Sequence, residues 1–503
     1  MKKTIRIFAL CMAMLLILPM GFALADNDGF SNTYTYNYDY WGELRDSPDA
    51  YRVDQVIYSV SLGLDTAMRR PQSLFVIGNE LYVCDTGNNR ILQLHREGNG
   101  FSLVRIIDAV HGATPESFST PSDVAVDEDG NIYVSDTNNN RVVMMDKEQN
   151  YIRSYTKPLD TTFDQSLSFL PNKLAVDTSG RVFVLATNVN KGFIKYEADG
   201  TFTGFIGANK ATYNLMDYVW KTFFTTKEQR AQQASFVPTE YENVYIDQEG
   251  FLYATNTVFS EYDLMYDVAK PIRRINSIGN DILIKNDRYP PIGDLAWVEG
   301  SLDYGPTKFR DITVLENDIY IAVDGTRGRV FGYDPQGIML WAFGTKGNSA
   351  GAFLSAKSIE HMGTDLLVLD ENENSITVFT PTDYGSLIYR ASDEYLRGDY
   401  DGSADTWRQV LKLNANYNLA FIGIGRSLMR QEHYAEAMEY FKMAHDRENY
   451  GRAYRYYRKE VVERNIGWIV AALAALLIIP PVVQKVKKSK MEVEAYERKQ
   501  IAH

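Results

Sequence analysis

Asp123-Val-Ala-Val-Asp127-Glu-Asp-Gly130-Asn-Ile-Tyr-Val-Ser-Asp136 reads as a short β-branched run, a turn, and a second run that includes an aromatic residue. The Asp-x-x-Gly between the runs is turn chemistry: a carboxylate accepts nearby backbone N–H groups, and glycine supplies a left-handed residue. The phrase recurs as Lys173-Leu-Ala-Val-Asp177-Thr-Ser-Gly180-Arg-Val-Phe-Val-Leu185 and as Asn243-Val-Tyr-Ile-Asp247-Gln-Glu-Gly250-Phe-Leu-Tyr-Ala-Thr255. Leu81–Asp85, Ile319–Asp324 and Leu366–Asp370 continue the series, and Pro71, Pro121 and Pro171 open three copies at a spacing of 50 residues. A third run follows in most copies, as in Arg90–Leu94 and Arg141–Met145, and a fourth is Thr201–Gly207. Four-stranded antiparallel units at this spacing stack radially. The expected fold is therefore mainly β, a six-bladed β-propeller over residues 51–383. Asp54–Leu62 is expected to close the ring as the outermost strand of blade 6.

Asp85-Thr-Gly-Asn-Asn89-Arg90 and Asp136-Thr-Asn-Asn-Asn140-Arg141, with Asp324 and Arg329 at the same interval, resemble the NHL-repeat family of β-propellers across residues 50–380. Blade 3 departs with Ala186 and Lys191, and blade 6 places Ser375 where arginine is expected. An Asp-to-Arg pair recurring within the blades is read as turn hydrogen bonding in preference to a charged binding ring. The resemblance speaks for fold; one scaffold hosts many functions.

Both ends differ from the middle. Residues 1–25 carry Lys2, Lys3 and Arg6, the apolar run Ile7–Leu18 and then Ala23-Leu24-Ala25, the pattern of a secretory signal with its cleavage site. Residues 466–484 contain an uncharged run long enough to span a bilayer as a helix, followed by Lys485, Lys487, Lys488 and Lys490. A cleaved signal and one stop-transfer helix leave the N-terminal domains extracytoplasmic and the basic tail, 485–503, cytoplasmic. The expected localisation is the cell membrane. Only Cys84 remains after the signal, so no intramolecular disulfide is expected. The net charge of −13 over 503 residues argues against nucleic acid as a partner.

Between propeller and span, residues 384–464 change to helical spacing. Ser403, Trp407 and Val410 map onto Ala437, Phe441 and Ala444 at an interval of 34, and Gly425 and Tyr434 take matching places. These positions resemble tetratricopeptide repeats, which implies two helical hairpins contacting a membrane protein partner or serving as a stalk. A last helix near 450–464 runs into the span. In the N-terminal segment, 26–50, Tyr34, Tyr36, Tyr38 and Tyr40 alternate before Trp41, which in an extended chain puts four rings on one face. Packing on the propeller wall is favoured over stacking on sugars.

Two binding regions are expected. Ser73, Asp123, Lys173, Asn243, Asp311 and Lys357 open the six innermost strands and form a polar ring at the channel mouth, satisfied by water or by a ligand. Insertions at 208–240, 257–270 and 286–308 decorate one face around blade 4, where Trp220, Phe224, Trp297 and Tyr304 offer aromatic surface. Propellers resembling lactonases or amidating lyases need clustered metal ligands, whereas His95, His111 and His361 share no blade position and Asp123 and Asp311 fall in blades 2 and 5. No catalytic residue, metal ligand or cofactor is assigned. The leading expectation is a membrane-anchored binding or scaffold protein that recognises a glycan or protein and is accessory to a carbohydrate-uptake or envelope system. The alternative is a metal-dependent hydrolase or lactonase acting at the channel mouth.

Overall fold

The computed structural model describes residues 34–187, 189–207, 241–259, 263–264, 269–285, 290–295 and 305–501. The chain divides into two compact units, one containing Leu44–Gly385 and the residues up to Asn37, the other Tyr38–Glu43 and Ser386–His503.

The first unit is a six-bladed β-propeller. Its innermost strands are Ser73–Ile77, Pro121–Val126, Pro171–Val176, Tyr241–Ile246, Phe309–Val314 and Ala356–Met362. Each packs against the next, and the last against the first, so the ring is closed. Blades 1, 2, 3 and 6 are four-stranded antiparallel sheets, and three strands of blade 4 fall among the described residues. Blade 5 is widened to six by Tyr36–Tyr38 and Leu44–Asp46, which pair outside Met339–Phe343. Alternation buries both faces of each sheet against its neighbours: Leu81, Val83 and Leu92 of blade 1 meet Leu367, Leu369 and Val378 of blade 6.

Ring closure uses the expected part of the chain. The closing strand is Tyr51–Ile57, set three residues earlier than Asp54–Leu62, and it pairs antiparallel with Ser375–Pro381. It ends where Ser61 folds back on Tyr58, donating its Oγ hydrogen to the Tyr58 carbonyl at 2.7 Å.

The Asp-x-x-Gly turns behave as read. Asp127 Oδ1 accepts the backbone N–H of Asp129 and Asn131 at 3.1 and 2.8 Å, while Gly130 adopts φ +82°. The Asp-to-Arg phrases pin one blade's second-to-third-strand loop to the segment entering that blade. Asp136 accepts the Ser119 N–H at 2.7 Å, Asn139 Nδ2 at 2.8 Å and Arg141 Nε at 2.9 Å. Asp85 does the same with Arg69 N–H, Asn88 and Arg90. Neighbouring blades are then tied by the loop threonines, Thr86 to the Pro121 carbonyl and Thr137 to that of Pro171, at 2.6 and 2.7 Å. Blade 5 keeps the interval but changes the partner. Asp324 accepts the N–H groups of Lys308, Thr326 and Arg327, and Arg329 reaches Asp294 and the Tyr36 hydroxyl.

The row of four tyrosines is not one face. Tyr36 is fully buried in blade 5 and donates its hydroxyl to Asp294 at 2.6 Å, whereas Tyr34 is half exposed. The alternation ends because Asp39 Oδ1 captures the N–H groups of Trp41 and Glu43 and Gly42 turns at φ +81°. Tyr40 accordingly packs 4.8 Å from Trp41 and 5.0 Å from His445, in the second unit.

That second unit holds the helices α1 (Asp383–Leu396, which begins at its border), α2 (Tyr400–Leu413), α3 (Asn418–Arg430), α4 (Tyr434–Met443) and α5 (Arg447–Ile501). From α2 onward successive helices pack on one another. Ser403, Trp407, Val410, Ala437, Phe441 and Ala444 are all buried. Gly425 is required by contact: a Cβ there would sit 2.6 Å from the Phe441 ring. The last helix is continuous from the packed helices through the apolar segment, where an 18-residue window of mean hydropathy 2.5 has no residue buried. It is long and apolar enough to cross a membrane. Residues 1–25 lie outside the described residues.

Candidate functional site

The six innermost strands surround a cavity of about 430 Å³ along the propeller axis. One end is closed by polar side chains. Asp123 Oδ1 accepts the Ser73 hydroxyl and lies 3.6 Å from Lys173 Nζ, while Asp123 Oδ2 accepts the Leu174 N–H at 2.8 Å. Asp311 mirrors it. Its Oδ1 accepts from Asn243 Nδ2 and the Ile312 N–H, and its Oδ2 from the Ser358 hydroxyl at 2.6 Å and the Ile359 N–H at 2.9 Å. The protein itself thus supplies the hydrogen bonds of the expected polar ring.

One member of that ring is corrected. In blades 2 to 6 the register of the innermost pair shifts by one residue at the same place, between Pro121 and Asp123 in blade 2 and between Ala356 and Ser358 in blade 6. The skipped residue is a bulge that faces away from the ladder position. Ser358 is therefore the equivalent of Asp123, and Lys357 is the bulge. It joins another tier, in which Glu242 Oε1 lies 3.6 Å from Lys357 Nζ and 2.7 Å from Arg310 Nη1.

Burial pushes the Lys173 ammonium down, but Asp123 and Asp311 overcome it and hold the group raised, hence charged. Asp311 is raised by burial against Lys173 and its hydrogen-bond donors. Deeper along the cavity Phe75, Ala125, Ala175, Tyr245 and Glu360 line the wall. They stand two residues beyond the ring positions on the same side of their strands. Glu360 is 7% exposed, its Oε2 accepts the Thr313 hydroxyl at 3.2 Å, and that hydroxyl also lies 2.7 Å from His361 Nδ1. Burial first, then Asp311, pushes the Glu360 carboxyl well above its ordinary range. Burial pushes His361 down to about 4. The far end opens among the exposed turn residues Gly78, Gln248 and Gly363.

Opposite pH dependences follow. A carboxyl whose folded pKa is raised costs stability as pH rises above its unfolded value of about 4.3, because the unfolded chain ionises it freely and the fold does not. Glu360→Gln is therefore expected to raise the thermal midpoint at pH 8 and to leave it unchanged near pH 4. His361 has the reverse sign: stability falls as pH drops from its unfolded value of about 6.5 towards 4. His361→Asn should flatten that acid limb, and scanning calorimetry across pH reads both effects.

Trp220, Phe224, Trp297 and Tyr304 lie outside the described residues. Lys308 donates to the Thr257 carbonyl at 2.7 Å and sits 3.5 Å from the centre of the Phe259 ring, and burial pushes it down to about 8. Among the described residues no cluster of three or more His, Cys, Asp or Glu side chains is arranged to hold a metal ion. Cys84 is a buried free thiol.

No curated protein matches the chain. Several solved structures do. Virginiamycin B lyase from Staphylococcus aureus is 12% identical at a TM-score of 0.39, covering 66% of this chain and 99% of its own. A streptogramin B lyase structure is 14% identical at a TM-score of 0.34, covering 70% and 87%. A protein of unknown function from Bacteroides thetaiotaomicron is 14% identical at a TM-score of 0.39, covering 63% and 71%. These matches lend no activity to this chain. Residues 118–143 match the family model of the NHL repeat, in the blade where Asp136, Asn139 and Arg141 make the bonds described above, so the chain is a six-bladed β-propeller that carries an NHL repeat.

Proposed function

We propose that the chain is a non-catalytic, membrane-anchored binding or scaffold protein, with its propeller extracytoplasmic and residues 485–503 cytoplasmic. The propeller recognises a glycan or a protein through the insertion face around blade 4. The helices of residues 384–464, read as tetratricopeptide-like, contact a membrane partner, and the whole serves as accessory to a carbohydrate-uptake or envelope system. The observation that supports binding over hydrolysis is the saturation of Asp123 and Asp311: both oxygens of each already accept protein donors. A divalent ion there would have to displace several of those donors. The long apolar helix supports the anchor.

Two measurements test this. Elemental analysis of the purified full-length protein should find no stoichiometric divalent ion; one equivalent that disappears in Asp123→Ala would install the hydrolase in its place. Protease added to intact cells should degrade the propeller and spare an epitope at the C-terminus, and the reverse pattern would overturn the orientation.

A further inference from the structure

The axial cavity is closed at the ring of Asp123, Asp311 and Lys173 and open at the opposite end, among Gly78, Gln248 and Gly363. Its lining carries three carboxyls, Asp123, Asp311 and Glu360, and the Lys173 ammonium lies 3.6 Å from Asp123. The two aspartates are fully engaged. Glu360 is not: Oε2 is held by Thr313, whereas Oε1 has no hydrogen-bond partner among the described residues, although the side chain is more than nine-tenths buried and lines the cavity. An acceptor without a protein partner that reaches the cavity space is open to a donor from a bound molecule. Phe75 and Tyr245 add aromatic wall, suited to a cation with an aliphatic body. The volume of about 430 Å³ is that of a small-ligand pocket.

We propose that this cavity binds a primary alkylammonium ion, with its ammonium group on Glu360 and its chain along Phe75 and Tyr245. The site is independent of the proposed insertion-face function and survives if that reading fails. A carboxyl with one oxygen free of protein donors can gain a charge-assisted hydrogen bond from an ammonium, which a neutral sugar or an anion of the same size cannot give. The groups facing Glu360 are Asp311 and Asp123, which oppose its ionisation, Thr313, Tyr245 on blade 4 and His361 on its own strand. Burial, then Asp311, favours the protonated form of Glu360, so an ammonium that pairs with its carboxylate does so at the expense of that form: the carboxyl O–H breaks, the proton leaves to solvent, and N–H···O⁻ bonds form.

Calorimetric titration of the full-length protein in detergent with n-butylammonium chloride tests this, with n-butanol as the uncharged molecule of the same shape. The expected result is binding of the ammonium and not of the alcohol. Glu360→Gln should weaken it by about tenfold or more, the size of one charge-assisted hydrogen bond. Repeating the titration in two buffers of different ionisation enthalpy should show proton release by the wild type that is absent in Glu360→Gln. Absence of ammonium binding, equal binding of alcohol and ammonium, or unchanged affinity and proton release in the variant would each overturn the proposal. The glutamine variant keeps the shape of the wall, and its thermal midpoint verifies that it is folded.

Discussion

Asp136→Ala is expected to destabilise the propeller by about 3–5 kcal/mol, lowering its thermal midpoint by about 10 °C. Asp136 is fully buried and its partner Arg141 is 5% exposed, so alanine strands a buried guanidinium and also releases the N–H of Ser119 on the segment that enters the blade. The size of the effect comes from the charge left behind. Asp136→Leu combined with Arg141→Met removes both charges and should recover most of the loss. Scanning calorimetry of the three proteins decides it; a single-variant shift below about 2 °C would mean that the pair is dispensable.

Tyr51→Ala should cost a comparable 3–5 kcal/mol or so, because a large ring is lost from a site that cannot collapse. Tyr51 is fully buried in the closing strand, 5.1 Å from the Trp341 ring and 5.3 Å from that of Phe343, and so joins blade 6 to blade 5. Its hydroxyl donates to the Thr364 carbonyl at 2.9 Å. Tyr51→Phe forfeits only that bond, about 1 kcal/mol. Denaturant titration of the two variants should therefore separate widely, and similar losses would place the stabilisation in the hydroxyl.

The blades were legible because their turns are chemically explicit. Asp127 and Gly130 mark one strand-to-strand reversal by residue type alone, and Asp136 with Arg141 mark another. Closure was legible for the same reason, as an unpaired strand-like run ahead of the first blade. What escaped has physical causes. A bulge adds one residue without changing composition, so Lys357 was counted where Ser358 stands, and that slip reverses the parity of the whole strand. With the right parity, Glu360 would have followed from the period of two, along with Phe75, Tyr245 and Thr313. Asp294, the partner of Arg329, sits in a connecting segment with no repeat to announce it. The tyrosine row failed at Asp39, whose side chain ends the extended run that alternation presupposes.

Because Tyr51–Ile57 pairs with Ser375–Pro381, a strand that precedes the first blade finds its partner only in the last strand of the wheel. During synthesis it must wait, unpaired, while more than three hundred residues follow it from the ribosome. Arg52, Asp54 and Gln55 make it a poor template for stray pairing in that interval. The rate at which the ring becomes protease-resistant should accordingly be set by the joining of its two ends, whichever blade condenses first.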